Sequence, residues 1–359
     1  MDVSPILDGL NKEQRDAVSA TPGPTLVLAG AGSGKTRVLV HRIAWLCQVE
    51  NLSPYSLLAV TFTNKAAAEM RARVESLLGS SLSGLWVGTF HGLAHRMLRS
   101  HYELAKLPQS FQILDSEDQK RLVKRLMKGL ELDEAQWPSK QMQWYINGRK
   151  DEGLRAADIP DDGDMTTRQM VRVYAAYEAA CNRAGVVDFA ELLLRSLELL
   201  KNNADLRLHY QQRFRHILVD EFQDTNSIQY DWLKLLAGAN NPIFAVGDDD
   251  QSIYGWRGAR IENIFSFSKE YSDTQTFRLE QNYRSTSTIL SAANELISNN
   301  QGRLGKNLWT DGSKGESIKL YAAYNEQDEA RYVIERVKEW AESEGRRFDE
   351  AAILYRSNA

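Results

Sequence analysis

The chain has 359 residues, of which 43% are hydrophobic, 26% are charged and 9% are aromatic. This composition is ordinary for a globular protein and excludes collagen, a mostly disordered chain and a small disulfide-stapled protein. At roughly 150 residues per domain, the length predicts two or three domains. The 44 basic and 48 acidic side chains give a net charge of -4. That balance neither indicates nor excludes nucleic acid, because binding depends on local charge in a groove.

Cysteine usage and the N-terminus favour a cytoplasmic protein. Cys47 and Cys181 lie far apart and show no metal-ligand spacing, as expected in a reducing compartment. The first residues lack the basic-then-apolar pattern of a signal peptide. No apolar run approaches the roughly 18 residues that a membrane span needs, so we expect no membrane association.

Short apolar runs that alternate with helical segments predict an α/β fold with a doubly wound parallel sheet. A short helix over 10–18 ends before Pro22 and Pro24, and a longer helix is expected over 35–47. Such runs are typical of strands buried on both faces of a parallel sheet. The predicted strands are 25–29, 57–62, 217–220 and 243–247.

The segment 91–214 has helical apolar spacing and lies between strands of one sheet, which predicts an inserted all-helical domain. The first α/β domain would then consist of 1–90 plus 215–278. A second sheet is expected to begin near 276–279 and to continue at 317–321 and 351–355, around a helix near 326–340. Because about 80 residues are few for an α/β domain, we expect the last domain, 279–359, to be incomplete.

A glycine-rich segment after the first strand matches the phosphate loop G-x-x-x-x-G-K-[ST], except that alanine replaces the first glycine. Glycines let backbone N–H groups surround phosphate oxygens, and the helix N-terminus adds positive potential. The lysine would reach the terminal phosphates, and the threonine hydroxyl would bind Mg²⁺. A glycine-rich turn that binds nothing is the alternative. The segment is Ala29, Gly30, Ala31, Gly32, Ser33, Gly34, Lys35 and Thr36.

Two acidic residues, Asp220 and Glu221, follow the strand over 217–220. Carboxylates at a strand end in this fold face the crevice where ligands bind. Asp220 suits Mg²⁺, and Glu221 suits a general base that polarises the attacking water. The alternative is an acidic N-cap for the next helix.

Four motifs occur in the order found in superfamily 1 DNA helicases: the phosphate loop and the segments 219–224, 246–259 and 279–285. Through the whole chain the sequence resembles the UvrD/PcrA/Rep subfamily, especially its UvrD type. The resemblance implies two RecA-like domains that bracket ATP and an ATP-driven translocase moving 3′ to 5′. The implied partners are single-stranded DNA and its junctions with duplex DNA.

The resemblance also implies roles for residues around the nucleotide. Gln14 is similar to the glutamine that reads the adenine edge, and Arg37 and Tyr283 resemble the pair that sandwiches the adenine ring. Gln251 resembles the residue that senses the γ-phosphate and couples it to DNA. Arg284 resembles an arginine finger, a fixed cation that offsets charge on the transferred phosphoryl group.

The resemblance also implies a DNA path, along which bases would stack on aromatic side chains at roughly 1–3 kcal/mol per base. Phe62, Tyr254 and Trp256 would stack bases, and Thr61, Asn64 and Arg260 would hold the backbone. Phe189 would line a base pocket. Phe90 and His91 resemble part of a further DNA-contacting motif.

Four of the aromatic assignments have a plainer alternative. Phe62, Phe90 and Phe189 would also suit the hydrophobic core, and Trp256 would suit structural filling. A basic helix face could touch duplex phosphates, but a solvated face is the favoured interpretation. It consists of Lys120, Arg121, Lys124, Arg125 and Lys128.

Complete members of the subfamily carry further motifs beyond the position of Ala359, so the chain is expected to be a fragment. If the resemblance extends to biology, it implies nucleotide-excision and mismatch repair with UvrB-like and MutL-like partners. Two other functions stay open. One is a nucleotide-dependent DNA-binding module without motor activity. The other is a P-loop enzyme such as a small-molecule kinase, which the aromatic loop after Gln251 disfavours.

Overall fold

The computed structural model describes residues 3–82 and 84–355, and its contacts divide the chain into two compact units. The first unit is Met1–Ser313 and the second is Lys314–Ala359.

A six-stranded parallel sheet organises the first unit, with strand order β3-β2-β6-β7-β1-β8. The four strands expected from the sequence are confirmed, with ends that differ by at most one residue. The strands are β1 Thr25–Ala29, β2 Leu57–Thr61, β3 Trp86–Thr89, β4 Gln112–Ile113, β5 Val186–Val187, β6 His216–Val219, β7 Ile243–Gly247 and β8 Gln275–Leu279, of which β4 and β5 form a separate pair.

Helices fill most of the remaining chain, and those expected over 10–18, 35–47 and 326–340 are confirmed. They are α1 Ser4–Leu7, α2 Lys12–Val18, α3 Lys35–Gln48, α4 Asn64–Leu78, α5 Phe90–Ser100, α6 Ser116–Gly129, α7 Ser139–Asp151, α8 Met165–Ala184, α9 Phe189–Asn202, α10 Ala204–Arg213, α11 Ser227–Ala237, α12 Glu262–Glu270, α13 Ser287–Ser298 and α14 Glu326–Glu344.

Both faces of the sheet are covered, which explains why its central strands are apolar throughout. In β2, Leu58 and Val60 belong to one core, which includes residues of α5, α9 and α11. Leu57 and Ala59 belong to the opposite core, with α3 and α4. Successive side chains of a strand point to opposite faces, so every position of a strand that is buried on both faces points into a core and favours an apolar residue.

The predicted helical insertion corresponds to α5–α10, and only its middle forms a core of its own. Leu122, Met142 and Tyr177 represent that core, which lies between α6, α7 and α8. Leu193 of α9 instead belongs to the core beside the sheet. The insertion is also not entirely helical, because β4 and β5 pair in parallel. Two-residue strands leave almost no periodic signal in a sequence.

The expectation of a second sheet beginning at 276–279 is wrong. These residues belong to β8, which pairs in parallel with β1 and adds a sixth strand to the first sheet. β8 is an edge strand in which Thr276 and Arg278 are exposed. Its alternating pattern therefore did not resemble the continuous apolar runs of the central strands.

The strands expected at 317–321 and 351–355 are also not formed. In residues 314–355 the second unit consists of α14, a short 3₁₀ turn over Phe348–Glu350 and irregular chain. A strand needs a neighbour for its N–H and C=O groups, and no described residue of this unit pairs with either segment. Alternation of apolar residues was therefore insufficient to predict a strand at either segment.

Several sulphur-containing residues lie inside the fold. Met70, Met97 and Met127 are buried core residues. Cys47 and Cys181 are free thiols, and burial raises the pKa of each to about 11. In residues 3–82 and 84–355, no helix is both long and apolar enough to cross a bilayer.

Replacement of Trp232 by alanine tests the core beside the sheet. Trp232 is fully buried next to Phe90, so Trp232→Ala is expected to destabilise the chain by about 3–5 kcal/mol. Trp144→Ala is the matched control, because Trp144 is 61% exposed and its loss is expected to cost under about 0.5 kcal/mol. Urea unfolding followed by circular dichroism measures both. Equal effects would contradict the assignment of the core.

Candidate nucleotide site and nucleic-acid interface

The phosphate loop connects β1 to α3 through two glycines with left-handed backbone. Gly32 has φ +67° and Gly34, the N-cap of α3, has φ +91°. A Cβ on Gly32 would lie 2.6 Å from Asn282 Nδ2, and one on Gly34 would lie 2.8 Å from Gln14 Nε2. Side chains at these positions would therefore strain the backbone and collide with neighbours.

Donors outside the loop hold its carbonyl groups. Asn282 Nδ2 donates to Ala31 O (2.6 Å), and Gln14 Nε2 donates to Ser33 O (2.8 Å). The backbone N–H of Tyr283 donates to Gly32 O (3.0 Å). In a trans peptide the N–H points away from the C=O, so the N–H groups of Gly32 and Gly34 point away from these donors. This arrangement fits phosphate binding.

Lys35 provides a cation that has an ion-pair partner but, in the part of the chain that the structure describes, no acceptor in hydrogen-bond geometry. Its Nζ lies 3.2 Å from Glu221 Oε2, and its side chain is 10% exposed. The buried Nζ atom has no hydrogen-bond partner among the described residues. Leaving such a group unsatisfied is costly, and phosphate oxygens are the acceptors that this position suits.

Asp220 and Glu221 lie together after β6. Asp220 Oδ1 accepts a hydrogen bond from the backbone N–H of Glu221 (3.0 Å). Burial, followed by the charge of Glu221, raises the pKa of Asp220 to about 7. A divalent cation would relieve this charge, so Asp220 fits the predicted Mg²⁺ ligand, with Thr36 in the first turn of α3 as the other candidate.

The helix-capping alternative for the acid pair is not supported. Glu221 precedes the short 3₁₀ turn Phe222–Asp224, but its side chain makes no capping hydrogen bond. Its backbone is left-handed (φ +48°), which is uncommon for a residue with a side chain. Such strain is typical of functional sites, where the surrounding structure holds an unfavourable conformation.

Gln223, which the sequence analysis did not single out, connects this pair to the next motif. It is 1% exposed, its Nε2 donates to Glu221 Oε2 (2.8 Å), and its Oε1 accepts from the backbone N–H of Asp248 (2.9 Å). Asp248 in turn accepts a hydrogen bond from Gln251 Nε2. The only sequence signal was a polar residue between Phe222 and Asp224.

The three residues predicted at the adenine lie near one side of the loop. Gln14 is buried and forms a capping box with Asn11 at the start of α2. Asn11 Nδ2 donates to the hydroxyl of Tyr283 (2.9 Å). Tyr283 and Arg37 are both exposed, as ligand-stacking groups must be before a ligand binds. Their contacts with adenine stay predictions.

Arg284 lies against the phosphate loop. Its Cβ is 2.8 Å from the place that a Cβ on Gly32 would occupy. The residue is exposed, and its guanidinium forms no ion pair within the described part of the chain. The predicted arginine finger is therefore close to the loop and free of competing carboxylates.

A cavity of about 450 Å³ lies between the sheet and the helical insertion. Six of the nine residues predicted to bind DNA line it, although they come from four separate segments of the chain. These residues are Thr61, Phe62, Phe90, His91, Phe189 and Tyr254.

The rings in this cavity differ in exposure. Phe90 is 2% exposed and packs edge-on against Phe62 and Trp232, so it forms the floor and the core alternative holds for it. Phe189 is 55% exposed, so the core alternative is wrong there. His91 lies 6.1 Å from Phe189, ring centre to ring centre, and burial lowers its pKa.

A buried ion-pair network fixes the position of Phe189. Asp188 caps α9 by accepting from the backbone N–H of Glu191 (2.7 Å). Its other oxygen accepts from Lys150 Nζ (2.7 Å) and from the Tyr177 hydroxyl (2.7 Å). Because Lys150 and Asp188 are each about 2% exposed, the residue that follows Asp188 has little freedom to move.

Polar residues that the sequence analysis missed line the same cavity. Asp151 is the most perturbed of them, because burial and then Asp188 raise its pKa to about 6. Amide groups on a cavity wall can pair with the edges of bases. On a helix such residues resemble an ordinary solvated face, so no sequence signal distinguished them. The missed residues are Gln119, Asn147, Asp151, Asn226, Gln229 and Arg257.

Three predicted DNA-binding residues lie outside this cavity, and all are exposed. Trp256 is 75% exposed and belongs to the 3₁₀ turn Gly255–Arg257, so it is not structural filling. The guanidinium of Arg257 lies 4.7 Å from its ring centre. Asn64 is the first residue of α4, and the backbone N–H of Arg260 donates to Thr225 O (2.8 Å).

The basic face of α6 is engaged in local ion pairs. Arg121 lies 3.1 Å from Asp118, and Lys124 lies 2.6 Å from Glu134, with all four side chains well exposed. This pairing agrees with the favoured interpretation of a solvated face.

Together, a parallel sheet, a glycine cradle and an acid pair at its carboxyl end define a P-loop nucleotide-binding protein. The family model "UvrD/REP helicase N-terminal domain" matches residues 10–272, and "UvrD-like helicase C-terminal domain" matches residues 277–359. The chain belongs to the UvrD/REP helicase family. This membership confirms the resemblance and, with the parallel sheet, the expected RecA-like α/β fold.

Curated relatives extend the comparison. The chain is 64% identical over 359 residues to DNA helicase II of Escherichia coli (strain K12) and 59% identical over 363 residues to that of Haemophilus influenzae. It is 44% identical over 361 residues to ATP-dependent DNA helicase PcrA of Leuconostoc citreum. Each match covers 100% of this chain but 50%, 50% and 48% of the relative, respectively. The chain thus spans about half the length of the curated relatives it matches.

Asp220→Asn tests the electrostatics of the acid pair in metal-free buffer. With a folded pKa of about 7 against an ordinary value near 3.9, Asp220 binds a proton more tightly in the folded state. Its contribution to stability therefore falls as pH rises from about 4 to about 7. We expect Asp220→Asn to raise the unfolding temperature by a few degrees at pH 8 and by less at pH 5.

Scanning calorimetry with a chelator measures this difference. Asp273→Asn, at an exposed position, is the control and should change neither value. An Asp220→Asn effect that is independent of pH would contradict the raised pKa.

Proposed function

We propose that this chain is a DNA-dependent ATPase and forms the motor part of a helicase that moves 3′ to 5′ along single-stranded DNA. The observation that carries the proposal is that six residues, assigned separately to DNA, line one cavity beside the nucleotide site. Asp224 belongs to the wall of that cavity, and it follows Glu221 by three residues. One short segment therefore borders both candidate sites.

At the nucleotide site, the phosphate loop and Lys35 would hold the triphosphate. Gln14, Arg37 and Tyr283 would hold the adenine. Thr36 and Asp220 would hold Mg²⁺, which supplies charge neutralisation and orientation of phosphate oxygens.

Catalysis would then depend on three residues around the terminal phosphate. Glu221 would accept a proton from the attacking water. Arg284 would offset charge on the transferred phosphoryl group. Gln251 would contact the γ-phosphate and couple its presence to the loop that carries Tyr254 and Trp256. Lys35 already lies beside Glu221, so the cation and the base are at the same end of the sheet.

At the DNA interface, Phe62, Phe189 and Tyr254 offer ring faces to bases, and His91 lies beside Phe189. Trp256 offers the most exposed ring of this group. Thr61, Asn64 and Arg260 would contact the backbone. Phe90 supports Phe62 from below rather than stacking.

The wider context belongs to the same proposal. The relatives are DNA helicases by name. Unwinding of DNA junctions, a cytoplasmic location and a role in DNA repair are proposed from the sequence resemblance. MutL-like and UvrB-like partners are proposed on the same ground. Because the chain spans about half the length of those relatives, ATP hydrolysis and strand displacement by these 359 residues are tested separately. Hydrolysis without displacement would favour a nucleotide-dependent DNA-binding module.

Glu221→Gln tests the general base. The variant keeps the size and the hydrogen bond to Gln223 but loses the basic carboxylate, so turnover is expected to fall at least about 100-fold. Binding of a fluorescent ATP analogue should change less than about threefold, because Lys35 and the loop remain. Undiminished hydrolysis would overturn the assignment of Glu221.

Trp256→Ala tests DNA stacking. Loss of one stacked base is worth roughly 1–3 kcal/mol, so the oligonucleotide concentration needed to stimulate ATPase should rise about 5- to 150-fold. The basal ATPase rate should not change. Trp144→Ala, which removes an exposed tryptophan on the helical insertion, is the control. Equal loss of basal and stimulated rates in Trp256→Ala would argue against stacking.

A further inference from the structure

Three consecutive aspartates follow β7 and form the one carboxylate cluster of metal-binding geometry in residues 3–82 and 84–355. The cluster holds an ammonium group of the chain itself. Lys306 Nζ lies 2.6 Å from Asp248, 2.5 Å from Asp249 and 2.9 Å from Asp250. A side chain thus fills the place that a cation would take.

Lys306 is buried in a segment that has no regular secondary structure. The residue is 6% exposed. Burial alone would lower the pKa of its ammonium, but Asp248 and its neighbours raise it on balance. Arg303 adds a two-pronged contact to Asp250 (2.6 and 2.8 Å), and the backbone N–H of Leu304 donates to Asp249 (2.9 Å). The segment 303–306 is therefore held in place mainly by the aspartates.

The cluster reaches Gln251 through Asp248. One carboxylate oxygen of Asp248 contacts Lys306, and the other accepts the hydrogen bond from Gln251 Nε2. The ammonium and the backbone N–H of Asp250 (3.1 Å) hold one oxygen of the carboxylate, and the other oxygen holds the amide. Because Asp248 is 1% exposed, water cannot replace either contact without opening the structure.

The same segment reaches the phosphate loop. Leu308 packs so tightly on Gly30 that a Cβ there would lie 2.1 Å from Leu308 Cδ2. Asn294 holds the backbone of Leu308 on both sides, with hydrogen bonds of 2.8 and 3.1 Å. Leu308, which contacts the phosphate loop, therefore lies only two positions after Lys306, which contacts Asp248.

We infer that Lys306 is a positioning residue for Gln251, which it orients toward the terminal phosphate through Asp248 while segment 303–308 is seated on the phosphate loop. The inference rests on the proposed function, because it assigns Gln251 the terminal phosphate. Lys306 itself touches no substrate. Its loss would leave Gln251 present but unaligned.

Equilibrium binding of nucleotides tests the inference without requiring turnover. The affinities for the β,γ-imido analogue of ATP and for ADP, each with Mg²⁺, are measured by calorimetry on the 359-residue chain. The test variant is Lys306→Met with Asp249→Asn, which removes one cation and one anion and so keeps the net charge of the cluster. The asparagine can still accept from Leu304.

In this double variant the affinity for the ATP analogue is expected to fall about tenfold relative to ADP, the effect of one charge-assisted hydrogen bond. Gln251→Ala should show the same fall. Combining it with the double variant should add nothing, because both act through one contact. A merely structural role of Lys306 would instead weaken both nucleotides equally. Lys269→Met with Asp273→Asn, both exposed, is the charge-matched control and should behave as wild type.

A second variant covers the case in which the buried double variant does not fold. Asp248→Asn keeps size and leaves Lys306 in place, but its amide cannot accept from both Lys306 and Gln251. The same selective fall is expected. A folded variant of either kind that keeps the wild-type preference for the ATP analogue overturns the inference and leaves the proposed function intact. Wild type that binds neither nucleotide overturns the proposed function, and this inference with it.

Discussion

The ion pair between Lys35 and Glu221 is the contact on which the nucleotide site depends. Lys35 follows β1 and Glu221 follows β6, and β7 separates these strands in the sheet. The pair therefore spans the crevice at the carboxyl end of the sheet. Charges that are largely shielded from water attract strongly but remain costly unless hydrogen bonds satisfy them. Lys35 makes none within the described residues, so a phosphate group would offer it acceptors that the protein does not.

From Glu221 a series of side-chain contacts leads to Lys306. Gln223 joins Glu221 to Asp248, and Asp248 joins Gln251 to Lys306. Asp224, on the other side, lines the cavity that holds the candidate base-stacking rings. Burial, followed by the charge of Glu221, raises the pKa of Asp224 to about 6. Glu221 at the candidate nucleotide site and Asp224 at the cavity are thus only three positions apart in the chain.

How much the sequence predicted varies from element to element. The central strands were found because burial on both faces makes them apolar throughout, as in β1. The edge strand β8 was assigned to the wrong sheet, because an edge is half exposed and its partner, β1, lies some 250 residues earlier in the chain. Phe90 and Phe189 look alike in sequence, yet one lies on the floor of the cavity and the other lies on its wall. Which of them a base could reach was decided by the packing of α5 and α9.

The sequence by itself determined the phosphate loop, the acid pair and the family. Each of these features consists of neighbouring residues, and the local geometry of such residues follows from glycines, strand ends and helix starts. Tertiary structure alone decided that Asn282 holds Ala31, that Lys306 forms ion pairs with three aspartates and that Asn147 and Asp151 face the cavity. These contacts join residues far apart in the chain. The sequence does not distinguish a lysine that becomes buried from one that stays solvated, because burial depends on residues that only folding brings together.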